Sequence, residues 1–143
     1  MAAGVLGAGP AWAGSGAGSL DLTPYRGKVL YLDFWASWCG PCKLSFPFMA
    51  QMVSSFRRPD FAVLTINVDH ARARAEDFLS QNNFGLPVAF DPSGAIARQF
   101  NVRDMPTSIL FDRSGANRFV HEGFFQGQVS LYESHIWGLL NEK

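Results

Sequence analysis

The sequence is poor in cysteine and histidine, in net charge and in long apolar runs. It has two cysteines and three histidines, and its 12 basic and 12 acidic residues cancel. Balanced charge without a basic cluster argues against a nucleic-acid-binding protein. No run reaches the roughly 18–20 apolar residues that a membrane-spanning helix needs. With 48% hydrophobic residues over 143 positions, the chain is still apolar enough to build one well-packed domain.

Both cysteines belong to one short motif, Cys39-Gly40-Pro41-Cys42, which follows an apolar, strand-like segment at residues 29–36. Two thiols at this spacing can close into a small disulfide ring and reopen, which is the chemistry of thiol–disulfide exchange. If a helix begins near Gly40 or Pro41, its free N–H groups and positive dipole end favour a thiolate at Cys39. We therefore interpret Cys39 as the nucleophile and Cys42 as the thiol that resolves the mixed disulfide.

The same cysteine pair has two other interpretations. It is half of a structural zinc site, but such a site usually needs four ligands. The three histidines, His70, His121 and His135, are isolated in the sequence and have no ligand-like spacing. A purely structural disulfide would close a very short loop, which restricts the unfolded chain little. Catalytic redox use is therefore the favoured interpretation.

The first 19 residues carry no charge and consist mainly of alanine, glycine and serine with a few apolar residues. Within them, Ala11-Trp12-Ala13 has the small-x-small pattern of a signal-peptidase site, although no basic segment precedes it. We predict that residues 1–19 are a signal-peptide remnant or a disordered leader. Residues 20–143 are predicted to form the folded domain.

Hydrophobic periodicity predicts strands and helices that alternate early in the chain and strands that pair late. The predicted strands cover residues 29–36, 61–68, 87–90, 107–112 and 118–124. The predicted helices cover residues 41–56, 71–84, 95–100 and 128–140. Pro47 lies inside the first helix, where it should produce a kink. This order predicts an α/β fold with a mixed central sheet flanked by helices.

The segment at residues 33–43, around the two cysteines, resembles the active-site segment of the thioredoxin superfamily. A second block at residues 102–107, which contains Met-Pro-Thr, is similar to that family's cis-proline loop. Residues 86–102 between them resemble the strand–helix insertion of the TlpA/ResA branch, a group of periplasmic thiol–disulfide oxidoreductases. The resemblance covers roughly residues 21–140. It implies a thioredoxin fold with one additional strand and helix before the cis-proline loop.

The resemblance implies catalytic roles for four residues. Cys39 and Cys42 match the two redox cysteines, and Asp33 matches the buried acid that accepts the proton of the second cysteine. An Asp in an apolar strand costs several kcal/mol if it stays charged and unpaired, so burial should raise its pKa. An Asp with satisfied hydrogen bonds, or one that faces an edge, is the alternative. Pro106 matches the cis-proline that faces the dithiol.

The resemblance also implies a substrate-binding surface around the dithiol. Met105 is expected to offer its backbone to an extended substrate segment, strand to strand. Trp38 is expected to form an apolar rim beside the nucleophile, although a tryptophan more often serves simple packing. The predicted substrate-binding residues are Trp38, Gly40, Pro41, Met105, Thr107 and Gly123. No metal site is predicted.

Two positions depart from the patterns of the family. Ser45 stands where TlpA/ResA-like proteins commonly carry a glutamate, and Thr65 stands where thioredoxin carries a lysine partner of its acid. The proton relay therefore resembles that of thioredoxin, with a higher pKa for Asp33 than a nearby cation would allow. Residues 101–105 lack the insertion motif of the thioredoxin-like proteins of cytochrome c maturation, which weakens the case for that role but leaves cytochrome c biogenesis open.

These observations together predict a protein-disulfide reductase of the cell envelope, in a periplasmic or other extracytoplasmic location. The Gly-Pro dipeptide between the cysteines resembles reducing members of the family rather than the Cys-Pro-His-Cys oxidases. Expected partners are proteins that contain disulfides, such as apocytochromes or a copper-site dithiol, and a membrane or soluble thiol donor. We expect a monomer whose only redox group is the Cys39–Cys42 disulfide, with no other cofactor and no nucleic acid.

Two other functions remain open. A cytosolic thioredoxin recharged by a flavin reductase would use the same chemistry in the cytoplasm, and cleavage after Ala13 would argue against it. A copper carrier would use the dithiol as a soft ligand for Cu(I), with Met49, Met52 or Met105 assisting. Because Met49 and Met52 are expected in the core, the copper carrier is the weaker hypothesis.

Overall fold

The computed structural model describes residues 19–56 and 58–142. In this part of the chain the strands are β1 (Val29–Trp35), β2 (Phe61–Asn67), β3 (Val88–Phe90), β4 (Thr107–Phe111) and β5 (Asn117–Glu122). The helices are α1 (Cys42–Phe56), α2 (Arg72–Gln81), α3 (Ala95–Gln99) and α4 (Val129–Leu140). Short 3-10 turns lie at Thr23–Tyr25 and Gln126–Gln128.

The five strands form one mixed sheet in the order β3-β2-β1-β4-β5, with β1 at its centre. The strands β1, β2 and β3 run parallel to one another, whereas β4 is antiparallel to β1 and β5 is antiparallel to β4. The predicted thioredoxin fold with a mixed sheet and flanking helices is therefore confirmed. The additional pair, β3 and α3, precedes the loop at Met105, as the resemblance implies.

The sheet is covered on both faces, which explains why β1 is buried at all seven positions. Side chains alternate along a strand, so Tyr31 and Trp35 point to one face and Leu32 and Phe34 to the other. The first face packs against α1, α2 and α4 and includes both cysteines in its core. We call it the dithiol face. The opposite face packs mainly against α3 and the segment around Leu20.

The helix α1 has an apolar residue at every fourth position from Leu44, and all but one of these residues are buried. Its residues Phe48, Met52 and Phe56 are buried, whereas Leu44 is exposed. Pro47 lies inside the helix, as expected from the sequence, and is itself exposed to solvent. The helix therefore buries the stripe that faces the sheet and leaves one turn near the cysteines partly apolar at the surface.

The helix α2 ends at Gln81, earlier than the predicted end at residue 84. Asn82 leaves the helical conformation at φ −132° and ψ 56°, and its backbone N–H and side-chain amide both donate to the carbonyl of Phe78. Gly85 follows with φ +70°, a backbone conformation that suits glycine. Asn82 thus caps the C-terminal end of α2, and Phe84 is left partly exposed in the following loop.

The N-terminal part of the domain is tied to α3. Leu20 is buried, its backbone N–H donates to Gln99 Oε1 at 2.8 Å, and its carbonyl accepts from Gln99 Nε2 at 3.0 Å. The predicted leader at residues 1–19 lies outside the described residues except for Ser19. Among the helices of the described ranges, none combines the length and the apolar character that crossing a membrane requires.

Candidate active site

The two cysteines lie in the turn that connects the centre of the sheet to α1. A disulfide joins Cys39 to Cys42, with 5.4 Å between their Cα atoms. The backbone N–H of Cys42, the first residue of the helix, donates to Cys39 Sγ at 3.3 Å. The helix begins at Cys42 rather than at Gly40 or Pro41, but the consequence for the sulfur is the one predicted. A free helix-start N–H directed at Cys39 Sγ stabilises a thiolate there.

The two sulfurs differ in their access to solvent. Cys39 is 4% exposed and Cys42 is fully buried. The two residues between them, Gly40 and Pro41, are exposed, and so is Trp38, at 70% of its surface. A partner protein therefore reaches Cys39 first. This geometry fits the predicted order of nucleophile and resolving thiol.

The loop before β4 lies at the same end of the sheet as the cysteines, where β1 finishes. Thr107, the first residue of β4, pairs with Phe34 near the end of β1, because the two strands are antiparallel. The Met105–Pro106 peptide bond is cis, the geometry that the resemblance implies. Pro106 is buried and Met105 is half-buried. The hydroxyl of Thr107 donates to the carbonyl of Asp104 at 2.7 Å, which closes the loop.

Gly123, the residue directly after β5, lies at the same end of the sheet. Its backbone N–H donates to the carbonyl of Pro106 at 2.7 Å, and its φ of +81° favours glycine. A Cβ at this position would meet the ring of Phe125 at 3.0 Å. Phe125 is 57% exposed and was not among the predicted residues. The sequence signal that could have found it is an apolar pair, Phe124-Phe125, directly after a glycine.

Asp33 lies in the middle of β1 and points to the dithiol face. It is 1% exposed, and its Oδ2 atom has no hydrogen-bond partner. Burial raises the pKa of the Asp33 carboxyl well above its usual value. The alternative of a satisfied or edge-facing carboxylate is therefore wrong. The neighbouring indole of Trp35 packs against the rings of Phe46 and Phe78, each at 4.8 Å between centroids.

A second buried carboxylate, Asp69, holds the chain just before the cysteines. Its Oδ2 accepts hydrogen bonds from the backbone N–H of Ser37 at 2.8 Å and from Asn67 Nδ2 at 2.7 Å. Its Oδ1 accepts from the hydroxyl of Ser37 at 2.8 Å. No motif in the sequence predicted this network. The available signal was Asn67 and Asp69, two polar residues directly after an apolar strand.

A cleft of about 260 Å³ lies beside the exposed indole of Trp38. Its lining includes the basic side chains of Lys43 and Arg74 and the carboxylate of Asp77. The cleft runs from the start of α1 to α2, so it can accommodate polar side chains of a partner docked at the dithiol.

Two of the three histidines, although far apart in the sequence, are in contact in the fold. His121 Nε2 lies 2.9 Å from His135 Nδ1, because α4 packs over β5. The third, His70, is exposed, with Nδ1 2.9 Å from the carbonyl oxygen of Pro92. Within residues 19–56 and 58–142, no three His, Cys, Asp or Glu side chains form a group that could hold a metal ion.

The chain is similar to known proteins in sequence. The sequence pattern of the AhpC/TSA family matches residues 11–119. The thiol-disulfide oxidoreductase ResA of Bacillus thuringiensis subsp. konkukian is 29% identical over 96 residues, covering 67% of this chain and 56% of that protein. ResA of Bacillus subtilis is 28% identical, covering 67% and 54%. The chain thus spans about half the length of the curated relatives that it matches.

Solved structures agree over a larger share of the chain. A structure described as thiol:disulfide interchange protein DsbE, from Chlorobium tepidum, superposes with a TM-score of 0.81 and 42% identity, covering 84% of this chain and 85% of that one. The exposed lipoprotein thioredoxin Etrx1 of Streptococcus pneumoniae gives a TM-score of 0.67 and 31% identity, covering 78% and 87%. The chain therefore belongs to the AhpC/TSA family, as a ResA/TlpA-like member of the thioredoxin superfamily.

Proposed function

We propose that this chain is a thiol–disulfide oxidoreductase that reduces disulfides in partner proteins of the cell envelope. One observation carries the proposal: the Cys39–Cys42 pair lies at the start of α1 with the Cys42 N–H directed at Cys39 Sγ. The printed functions of the relatives, thiol-disulfide oxidoreductase and thiol:disulfide interchange protein, support the same chemistry. The reducing direction rests on the Gly-Pro dipeptide between the cysteines.

The reaction starts from the reduced dithiol. The Cys39 thiolate attacks one sulfur of a substrate disulfide, the substrate S–S bond breaks, and one substrate thiolate leaves and takes up a proton from water. A mixed disulfide now joins Cys39 to the substrate. The helix-start N–H at Cys39 Sγ lowers the cost of the thiolate that begins this step.

The second step releases the substrate. Cys42 gives its thiol proton to the carboxylate of Asp33 and attacks Cys39 Sγ, and the second substrate thiolate leaves. Two electrons have passed from the dithiol to the substrate, and the Cys39–Cys42 disulfide has formed. Because the two sulfurs carry both electrons, the reaction needs no organic cofactor or metal. A membrane or soluble thiol donor then reduces the disulfide by the reverse steps.

The proposed substrate surface is the end of the sheet that carries the dithiol and the Met105–Pro106 loop. An extended segment of the partner lies against the backbone of Met105, with its cysteine directed to Cys39. Trp38 and Phe125, exposed at 70% and 57%, provide apolar contacts on either side of the binding segment. Thr107 and Gly123 remain part of the proposed substrate surface, and their hydrogen bonds to Asp104 and Pro106 also hold the loop in place.

The proposed location depends on the first residues of the chain. The small-x-small pattern at Ala11-Trp12-Ala13 and the exposed lipoprotein of Streptococcus pneumoniae among the structural relatives support a place outside the cytosol. Sequencing the N-terminus of the mature protein from cells distinguishes the alternatives. Cleavage after Ala13 supports the cell envelope, and an uncleaved chain in the cytosolic fraction supports a general thioredoxin.

The reduction potential of the dithiol tests the proposed direction. Equilibration against thiol buffers, with tryptophan fluorescence as the signal, resolves differences of about 30 mV, or roughly 1.4 kcal/mol for two electrons. A value near the thioredoxin end, about −270 mV, supports a reductant, and a value near about −120 mV means that the protein donates disulfides. If no disulfide forms at all, the redox proposal is wrong and copper binding becomes the better hypothesis.

The two cysteines are matched controls for each other. Cys39→Ser should abolish reduction of a disulfide substrate, because the nucleophile is lost. Cys42→Ser should accumulate mixed disulfides with partner proteins through Cys39, detected by gel shift without reductant. If Cys39→Ser traps partners and Cys42→Ser does not, the two roles are reversed.

A further inference from the structure

Three polar residues lie side by side across the sheet on the dithiol face. Asp33 on β1 pairs with Ser108 on β4, and Ser108 pairs with His121 on β5. Directly opposed residues of antiparallel strands share a face and have Cβ atoms about 4.5–5.5 Å apart. The three side chains therefore form a row from the centre of the sheet to its β5 edge.

Hydrogen bonds continue this row to the protein surface. Ser108 Oγ lies 3.4 Å from His121 Nδ1, and His121 Nε2 lies 2.9 Å from His135 Nδ1 on α4. Asp33 and Ser108 are buried, whereas both histidines are half-buried. Tyr31, two residues before Asp33 on β1, points to the same face.

The proposed reaction requires a path along which a proton can move between Asp33 and solvent. Each time the Cys39–Cys42 disulfide forms, one proton passes from Cys42 to Asp33. That carboxyl is 1% exposed and cannot exchange its proton directly with bulk water. Before the site works again the proton has to leave, and it has to return when the disulfide is reduced.

We propose that Ser108, His121 and His135 relay the proton of Asp33 to and from the surface, an inference that rests on the proposed function. Because Asp33 Oδ2 has no hydrogen-bond partner in the oxidised protein, the carboxyl first turns toward the adjacent Ser108 Oγ. The Asp33 O–H then gives its proton to Ser108 Oγ as the Ser108 hydroxyl proton passes to His121 Nδ1. The N–H at His121 Nε2 passes its proton to His135 Nδ1, and His135 releases one proton from Nε2 to water. One proton leaves Asp33 and one reaches solvent, so no relay residue gains charge. Reduction of the disulfide runs the transfers backwards and restores each tautomer.

The surroundings of the two imidazoles suit this task. Burial, and then the neighbouring His135, lower the pKa of His121 to about 4, and burial also lowers the pKa of His135. Both rings are therefore neutral at pH 7, with one nitrogen donating and the other accepting, as a relay requires. The ring of Phe119 stacks on His135 at 3.9 Å, and Tyr132 lies 4.7 Å from His121, which limits the motion of both imidazoles.

The test separates the rate of proton movement from the equilibrium. The protein is cycled between oxidised glutathione and a dithiol reductant, so that Asp33 has to release and regain a proton in every turnover, and the turnover rate and the reduction potential are both measured. Ser108→Ala and His121→Gln should slow turnover by roughly tenfold to 100-fold, within reach of a positioned acid–base group, while the potential stays unchanged. Ser108→Thr, which keeps the hydroxyl, should retain the wild-type rate.

Thr65→Val is the matched control, because Thr65 adjoins Asp33 from the other side and its hydroxyl donates to the carbonyl of Pro87. It should leave the rate unchanged. His135→Gln, on the half-exposed face of α4, gives a second interruption if a buried substitution prevents folding. Wild-type rates in all three relay variants, or a potential that shifts together with the rate, would overturn the relay alone. Failure of the wild type to exchange would overturn the proposed function as well.

Discussion

Asp33 and Asp69 are both buried carboxylates, the first within β1 and the second just after β2, but their surroundings are opposite. Asp33 has a carboxyl oxygen without a partner, and burial raises its pKa. Asp69 accepts three hydrogen bonds within 2.7–2.8 Å, two of them from Ser37, two residues before the nucleophile. A carboxylate with satisfied hydrogen bonds fixes geometry, whereas an unsatisfied one is close to changing its protonation state.

The comparison shows that burial alone does not define the role of an acid. The two residues differ little in exposure, at 1% and 5%. What separates them is the supply of donors: β1 offers Asp33 none for Oδ2, while the turn after Trp35 offers Asp69 a backbone N–H and a hydroxyl. One acid therefore suits proton transfer, and the other suits positioning of the dithiol turn.

The largest expected effect is that of Asp33→Asn on the second step. Without the proton acceptor, the release of substrate by Cys42 should slow by about 100-fold at pH 7. Single-turnover mixing of the reduced protein with a disulfide substrate measures this step. Glu76→Gln, an exposed carboxylate on α2, is the matched control. An unchanged rate in Asp33→Asn would mean that Asp33 takes no part in proton transfer and does not differ from Asp69 in this function.

Asp69→Ala should act mainly on stability. It leaves the Ser37 N–H and the Asn67 amide without an acceptor, which costs about 2 kcal/mol, or roughly 5–8 °C in Tm. Asp33→Asn should shift Tm in the opposite direction at neutral pH, because it removes an unpaired buried acid. Thermal unfolding of both oxidised variants gives the two signs, and equal signs would contradict the comparison.

The stabilising effect of Asp33→Asn should depend on pH. Because the folded pKa of Asp33 is raised, the native state keeps a proton that the unfolded chain loses above about pH 4. Wild-type stability therefore falls as the pH rises from there toward the folded pKa, and the Asn variant lacks this loss. The difference in unfolding free energy between the two proteins should grow from pH 4 upwards. A constant difference would mean that Asp33 does not titrate.

The smallest expected effect comes from His121 and has the opposite slope. Its folded pKa of about 4 lies below the ordinary histidine value of 6.5, so the unfolded chain binds more protons between these values. Wild-type stability should fall as the pH drops from 6.5 to 4, and His121→Gln should reduce that fall. The effect is modest because the ring is half-exposed and solvent screens it. His135, Ser108 and Tyr132 face the ring, and exposed His70→Gln is the control in chemical unfolding.

The sequence predicted the parts of the site that depend on local signals. The nearly continuous apolar run of β1 and the cysteine spacing each lie within a few residues, and the structure has them where they were expected. The burial of Asp33 also followed from its position in that run. The cis geometry at Pro106 followed from resemblance to a family, and periodicity alone gives no sign of it.

The missed features depend on contacts between distant segments. His121 and His135 meet only because α4 crosses β5, and no periodic pattern in either segment indicates that crossing. The Asp69 network joins the end of β2 to the end of β1, so it requires the register of the two strands. At the early end of α2 the backbone N–H and the side-chain amide of Asn82 both donate to the carbonyl of Phe78, a local cap that periodicity does not register.

The central place of β1 in the sheet has a consequence for how the protein folds. Its neighbour β2 follows after one helix, but its other neighbour, β4, comes from far along the chain, with Leu30 paired to Phe111. Pairings between distant segments form slowly, because a long loop has to close before the contact stabilises it. During synthesis from the N-terminus, both cysteines leave the ribosome before the strand that completes their sheet exists. The dithiol is present as two separate thiols first, and it becomes an active centre only when β4 docks.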